Sequence, residues 1–138
     1  MEQLRELAKG AYNRAFELVV EGTDSDIAEG LELAAGSLHL WRIIGNETNW
    51  SIGAWLYSRA LLKAGLQQLA IAKAEESYQY AKVAGTDWLI ASALEGLARA
   101  QQGTTEFDGA KMLAELAIAN IADPEDRALI ESQFADLC

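Results

Sequence analysis

The sequence predicts an all-α fold of seven helices packed as antiparallel pairs. Ala, Leu, Glu and Gln dominate the 138 residues, and these side chains lose little freedom in a helix. Proline occurs once, at Pro124, and apolar residues recur at helical steps, as at Ile27, Leu31, Ala34 and Leu38. The length suits one domain with one core, so we treat residues 1–138 as a single domain.

Glycines and capping residues set the helix boundaries. Gly22, Gly45, Gly65, Gly85 and Gly103 each follow a helical segment, and polar residues that cap the next helix come after most of them. The clearest start is Asp123-Pro124-Glu125-Asp126, which combines a cap, a first-turn proline and acidic residues near the helix N-terminus. We predict helix pairs over about 2–44, 46–84 and 87–121, followed by a final helix over 124–138.

The second and third pairs repeat each other. Trp50 and Trp88 begin similar segments. The offset between these two tryptophans also relates Ile52 to Ile90, Leu56 to Leu94, Ala60 to Ala98 and Gly65 to Gly103. A period of about 40 residues with two helices per repeat is typical of an α-solenoid.

These segments resemble tetratricopeptide repeats with an extended period. The residues that carry the resemblance are the run 65–70 with Ala74, the run 93–98 and the turn 81–88. It covers about 51–121 well, and Ser77 and Lys82 stand where the family prefers alanine and proline. The resemblance implies a right-handed α-α superhelix of about three pairs. The seventh helix would then cap the open end.

Composition argues against several classes of partner. The net charge is −10, and the sequence contains no cluster of Lys or Arg, so we expect neither nucleic acid nor an anionic membrane as a partner. No apolar run approaches the roughly 20 residues that a membrane-spanning helix needs. The first residues lack the apolar core of a secretory signal, and Cys138 is the only cysteine. We therefore expect a cytoplasmic protein.

The sequence lacks the residue combinations that catalytic and metal sites usually need. His39 is the only histidine, so a zinc or di-iron site is not expected, and we predict no cofactor. Ser37 is close to His39 in sequence, but residues two apart on a helix face different ways. We expect no enzyme and interpret His39 as a partly buried structural residue. A small-molecule or enzymatic pocket near His39 and Trp41 is the less favoured alternative.

The resemblance also implies a binding surface, because the first helix of each tetratricopeptide pair lines a concave groove. Its groove positions correspond here to Tyr12, Phe16, Ile52, Trp55, Arg59 and Lys63. The fifth helix has two candidate registers, Ala93 and Leu97, or Ser92, Glu95, Arg99 and Gln102. We favour the second, because a polar stripe at helical spacing belongs on a wet surface, and Glu95 can pair with Arg99.

The leading functional hypothesis is a non-catalytic module that binds a protein or peptide segment. Trp55 beside Arg59 and Lys63 would form a cationic, aromatic patch for an acidic or C-terminal peptide, although packing of Trp55 in the core is the alternative. Candidate binding residues are Tyr12, Phe16, Trp55, Arg59, Lys63 and Arg99. Asn13, Arg59, Lys63 and Arg99 resemble the family's carboxylate clamp only partly, and we do not predict that clamp.

A second hypothesis is a self-assembling module in which helix faces pair in a homodimer. The apolar face formed by Ile130, Phe134 and Leu137 serves either this purpose or the capping of the solenoid. Trp41, Trp50 and Trp88 stand at helix ends, where we expect them to connect neighbouring pairs.

Overall fold

Seven α-helices follow one another along the part of the chain, residues 2–137, that the computed structural model describes. They are α1 (Glu2–Phe16), α2 (Ile27–Ile44), α3 (Glu47–Lys63), α4 (Gln67–Ala84), α5 (Asp87–Ala100), α6 (Phe107–Ala119) and α7 (Pro124–Phe134). The predicted all-α class is confirmed, and no strand occurs within these residues. Cys138 lies outside the described residues.

The helix ends follow local chemistry. The Asn46 side chain accepts hydrogen bonds from the amides of Thr48 and Asn49 and caps α3, as the 46–49 connection predicts. Gly85 ends α4 in the left-handed conformation, with φ of 77°. After α1 the chain continues as a π-helical turn over Glu17–Glu21.

The capping box before α2 begins one residue earlier than the predicted caps. We predicted Asp24 or Ser25, but the capping box pairs Thr23 with Asp26 around a short 3-10 turn over Asp24–Asp26. Asp26 then precedes Ile27, the first residue of α2. The prediction was wrong because a capping box needs an acceptor three residues after the cap, and Thr23 is the residue placed to use Asp26.

Each helix packs against its sequence neighbours, and the odd-numbered helices also contact one another. α1 touches α3, α3 touches α5, and α5 touches α7. This side-by-side arrangement brings α1, α3, α5 and α7 to one surface of the molecule.

The structural repeat of α3 and α5 is longer than the offset of the two tryptophans predicts. Positions 51–60 of α3 and 91–100 of α5 show the same order of buried and partly buried residues. Trp55 and Glu95 are therefore equivalent, as are the N-terminal caps Asn46 and Thr86. The error arises at the helix ends. α5 stops earlier in the repeat than α3, so Gly65 and Gly103 suggested an alignment that the helices do not follow.

Small residues form the seams between paired helices. Ala34, Ala74 and Ala114 occupy the same repeat position on α2, α4 and α6, and each is buried. Ser37 Oγ donates to the Ala8 carbonyl at 3.0 Å, and Ser77 Oγ donates to the Ser51 carbonyl at 2.8 Å. These short side chains let the backbones approach while their hydroxyl groups stay hydrogen-bonded.

Polar contacts at the helix ends connect neighbouring parts of the chain. Trp50 Nε1 donates to the Trp41 carbonyl at 2.7 Å, which joins the end of α2 to the start of α3, as predicted for these tryptophans. Asp87 Oδ2 accepts from the Ala122 amide at 3.0 Å. The Asp87 carboxylate therefore holds the α6–α7 connection and does not cap its own helix.

The apolar face of α7 is used inside the chain. Ile130 packs with Ala91, Ile118 and Ile121, and Leu137 packs with Ala98 and Ala110. Phe134 is partly buried and lies beside both clusters. This packing agrees with the capping interpretation.

Candidate binding surface

The side of the molecule formed by the odd-numbered helices contains a cavity of about 180 Å³, which we call the central cavity. It lies between α1, α3, α5 and α7. Its main apolar walls are Phe16, Ile52, Trp55, Trp88 and Leu129. Two further depressions border it. One shares Tyr12 and Ile52 with the central cavity, and the other shares Trp55. We call the three together the groove.

Trp55 is a wall of the groove and not an exposed platform. Its side chain is only 5% exposed, and its ring stacks near Phe16 with centroids 6.4 Å apart. Its indole Nε1 donates to Glu95 Oε1 at 3.1 Å. Of the two alternatives for Trp55, packing in the core is therefore the one that the structure shows. Trp55 also lines the central cavity.

Gly96 makes room for this tryptophan. A β-carbon at position 96 would lie 2.6 Å from Trp55 Cδ1 and 3.0 Å from Trp55 Nε1, closer than van der Waals contact permits. The absence of a side chain on α5 thus lets the indole ring lie against the helix backbone and reach Glu95. The sequence shows Gly96 but gives no sign of which ring it accommodates.

Glu95 and Arg99 join α3, α5 and α7. The Glu95 side chain is fully buried, and its Oε2 accepts from Arg99 Nε at 2.7 Å. Arg99 also donates to both carboxylate oxygens of Asp136, at 2.7 and 3.1 Å, and to the Gln133 carbonyl at 2.9 Å. This network fixes the C-terminal end of α7 on α5.

The structure corrects one part of the fifth-helix prediction. Ser92 and Ala93 both line the central cavity, Arg99 lines the adjoining cleft and Gln102 lines neither, so both candidate registers contribute to the groove, and the predicted Glu95–Arg99 pair forms. The stripe is not wet, however, because Glu95 is fully buried and Arg99, which bonds Gln133 and Asp136, is only 11% exposed. Local spacing within α5 could not show that residues much later in the sequence supply these partners of Arg99.

Arg99 and Arg59 have opposite electrostatic surroundings. Burial lowers the pKa of Arg99, but the carboxylates of Asp136 and Glu95 outweigh it, so the pKa is raised overall. Burial also lowers the pKa of Arg59, and the neighbouring Arg99 charge lowers it further. Arg99 is therefore a paired structural residue, whereas for Arg59 the nearby charges of Glu95 and Asp136 only partly offset burial and the Arg99 charge, and its pKa stays lowered.

The difference follows from the repeat. Arg59 and Arg99 occupy the same repeat position, as do Trp55 and Glu95. Arg99 finds a carboxylate four residues earlier, whereas Arg59 finds an indole ring and lies 5.5 Å from its centroid. Within residues 2–137 the Arg59 guanidinium makes no hydrogen bond or ion pair.

The other predicted residues lie at different places in and beside the groove. Tyr12 and Phe16 lie side by side on α1, with ring centroids 6.3 Å apart, and burial raises the pKa of the Tyr12 hydroxyl. Asn13 joins Lys9, Trp41 and Asn49 in a hollow of about 160 Å³ that Tyr12 also lines. Lys63 is exposed at the end of α3 and borders none of the three depressions.

His39 is exposed, so the predicted partial burial was wrong. It faces outward from α2 and is not a lining residue of the hollow at Trp41. The described residues contain no group of three or more His, Cys, Asp or Glu side chains placed to bind a metal ion. Among those same residues, no helix has the length and apolar character needed to cross a membrane.

Several groove residues were missed by sequence reasoning. Trp88 was assigned to a helix end, and Leu129, Gln133 and Asp136 were assigned to the cap helix, yet all four shape or support the groove. Leu129 falls outside the apolar face that Ile130 and Phe134 form on α7. This position is the one feature of the sequence that could have indicated a role for Leu129 in the groove.

No protein-family model, curated protein or solved structure matches this chain. The resemblance to tetratricopeptide repeats therefore stays a prediction based on the residues that carry it. The interpretation of the groove depends on its own geometry and charge.

Replacing Gly96 with alanine should displace Trp55, because the added methyl group would overlap the indole ring. We expect a loss of about 1–3 kcal/mol in the free energy of unfolding, together with altered tryptophan fluorescence. Urea unfolding of purified protein measures both. Gly36→Ala is the matched control, since a β-carbon there meets nothing within 4 Å and should stabilise α2 slightly. Equal behaviour of the two variants would contradict the proposed contact.

Asp136 should contribute to stability in a pH-dependent way. Hydrogen bonds from Arg99 lower the pKa of Asp136, so its contribution is complete above the unfolded pKa of about 3.9 and disappears as pH falls through the lower folded value. The Asp136 side chain is 66% exposed, so we expect less than about 1 kcal/mol between wild type and Asp136→Asn at pH 7. Urea unfolding of both proteins from pH 7 to pH 2.5 should show this difference vanish at the acid end. A constant difference would refute the coupling.

Proposed function

We propose that this chain is a non-catalytic binding module whose groove holds an acidic segment of a partner protein. The observation that carries the proposal is the Arg59 guanidinium, which is partly buried, lies over Trp55 and has no acceptor within the described residues. Removing a charge from water without a partner is costly, so such a group favours a ligand that supplies one.

The distribution of charge on the protein also favours an acidic partner segment. The chain carries −10 overall, yet Arg59 and Arg99 balance Glu95 and Asp136 at the groove, and Lys63 adds a positive charge one turn further along α3. Because both carboxylates are bound by Arg99, the cationic donors left without an acceptor are those of Arg59 and of the exposed Lys63. An anionic segment therefore meets less repulsion here than over the remaining acidic surface, and it finds donors for its carboxylate.

The shape of the groove favours a segment of chain over a compact ligand. Three adjoining depressions follow α1, α3 and α5 and share their border residues Tyr12, Ile52 and Trp55. A peptide in an extended conformation could contact all three. This use agrees with the tetratricopeptide resemblance, and the single cysteine agrees with a cytoplasmic setting, both of which remain part of the proposal.

Capture from a native lysate tests this function. Wild-type protein immobilised on beads should retain one or a few proteins that Arg59→Ala does not retain. A charge-assisted hydrogen bond contributes about 1.5–3 kcal/mol, so affinity should fall at least tenfold. Arg14→Ala is the matched control, because Arg14 is an exposed arginine on α1 outside the groove.

Mass spectrometry of the three eluates reads the result, after circular dichroism confirms that each variant is folded. Retention of the same proteins by wild type and Arg59→Ala would overturn the assignment of the groove as the binding site.

A further inference from the structure

We propose that the segment bound in the groove contains a large apolar residue with an acidic residue within two positions of it. This inference rests on the proposed function and specifies its ligand: the apolar side chain enters the central cavity and the carboxylate meets Arg59. Three features of the groove carry it.

The first feature is the size and lining of the central cavity. An engineered apolar cavity of roughly 150 Å³ in another protein takes up benzene, so about 180 Å³ accommodates one aromatic ring or a branched aliphatic side chain. The walls offered by Phe16, Ile52 and Trp88 are apolar. Leu129 lines the cavity while 60% exposed, which places an apolar side chain at its rim where a ligand would cover it.

The second feature is a pair of hydrogen-bonding groups beside the cavity. Gln133 Oε1 accepts from Ser92 Oγ at 3.3 Å, and the Gln133 amide nitrogen has no acceptor within residues 2–137. Tyr12 lines the same cavity, and its hydroxyl likewise makes no hydrogen bond within those residues. Both groups can donate to a peptide carbonyl on either side of an inserted side chain.

The third feature is that Trp55 separates the cavity from Arg59. The cleft that holds Arg59 is lined by Trp55, Gly96 and Arg99 and has no room for a further side chain. A carboxylate can therefore approach Arg59 from the outside but cannot enter. Because the central cavity and the Arg59 cleft border the same indole ring, we place the acidic group on the residue next to the apolar one or on the next but one.

A displayed library of random dodecapeptides tests this inference. Selection on wild-type protein should enrich sequences with Phe, Leu, Ile or Met near Asp or Glu. A synthetic peptide of the enriched sequence, labelled with fluorescein, is then titrated with protein and followed by fluorescence anisotropy. Changing its apolar residue to Ala, or its acidic residue to the corresponding amide, should each weaken binding at least tenfold.

Protein variants assign the two contacts. Ser92→Leu fills the central cavity and should weaken binding at least tenfold, while Ser132→Leu adds the same group at an exposed position of α7 and should leave binding unchanged. If Ser92→Leu fails to fold, Leu129→Ser opens the rim at an exposed position and should weaken binding as well. Arg59→Met should remove the preference between the acidic peptide and its amide form.

The outcomes separate the two proposals. Enriched acidic peptides without a large apolar residue near the acid, or binding that Ser92→Leu and Leu129→Ser both leave intact, would overturn this inference and retain the proposed function. Enriched peptides without an acidic residue, or failure of folded wild-type protein to enrich any peptide, would overturn the proposed function too. Saturable binding of 3-phenylpropanoate at micromolar concentration, without any enriched peptide, would have the same meaning and indicate a small-molecule site.

Discussion

The fold around the groove depends on one buried carboxylate. Glu95 lies with its side chain fully buried between α3 and α5, where it accepts from the Trp55 indole and the Arg99 guanidinium. A charge in such a place is tolerated only when it is paired and hydrogen-bonded, and both conditions are met. Because Arg99 also bonds Asp136 and the Gln133 carbonyl, the position of α7 depends on the same group. Three helices therefore share one electrostatic centre.

The proposed binding chemistry depends on the Arg59 guanidinium, which this electrostatic centre leaves without an ion pair. Successive copies of a repeat place Trp55 and Arg59 on α3 where α5 has Glu95 and Arg99. In α5 the acid and base neutralise each other within the helix. In α3 the equivalent of the acid is an indole, which carries no negative charge and offers no hydrogen-bond acceptor, so Arg59 has only a ring contact in place of an ion pair. The unpaired guanidinium is thus a direct result of one difference between two repeats, and it lies beside an apolar cavity.

Much of the fold could be predicted from the sequence, because helix propensity, glycine stops and caps such as Asn46 act locally. The repeat register was predicted less well. Trp50, Trp88, Gly65 and Gly103 suggested too short a period, because they stand at helix ends, where lengths vary without moving the packed interior. Within the site, the Glu95–Arg99 pair was predicted correctly, but the exposure of these two residues was not. Arg99 is held by residues of α7 and of the segment after it, which are distant in sequence, and the room that Gly96 leaves for Trp55 is visible only once α3 and α5 are packed together.

Hydrogen exchange of wild type and Glu95→Leu, followed by NMR, tests the central role of Glu95 most directly. Leucine fills a similar volume but offers no acceptor to Trp55 or Arg99. The account predicts that protection of the Trp55 indole N–H and of the α7 amides falls together, while amides of α2 and α4 remain protected. Unchanged protection of α7 in the folded variant would contradict the account, because α7 would then be held by its apolar contacts and by the Arg99 hydrogen bonds without any contribution from Glu95.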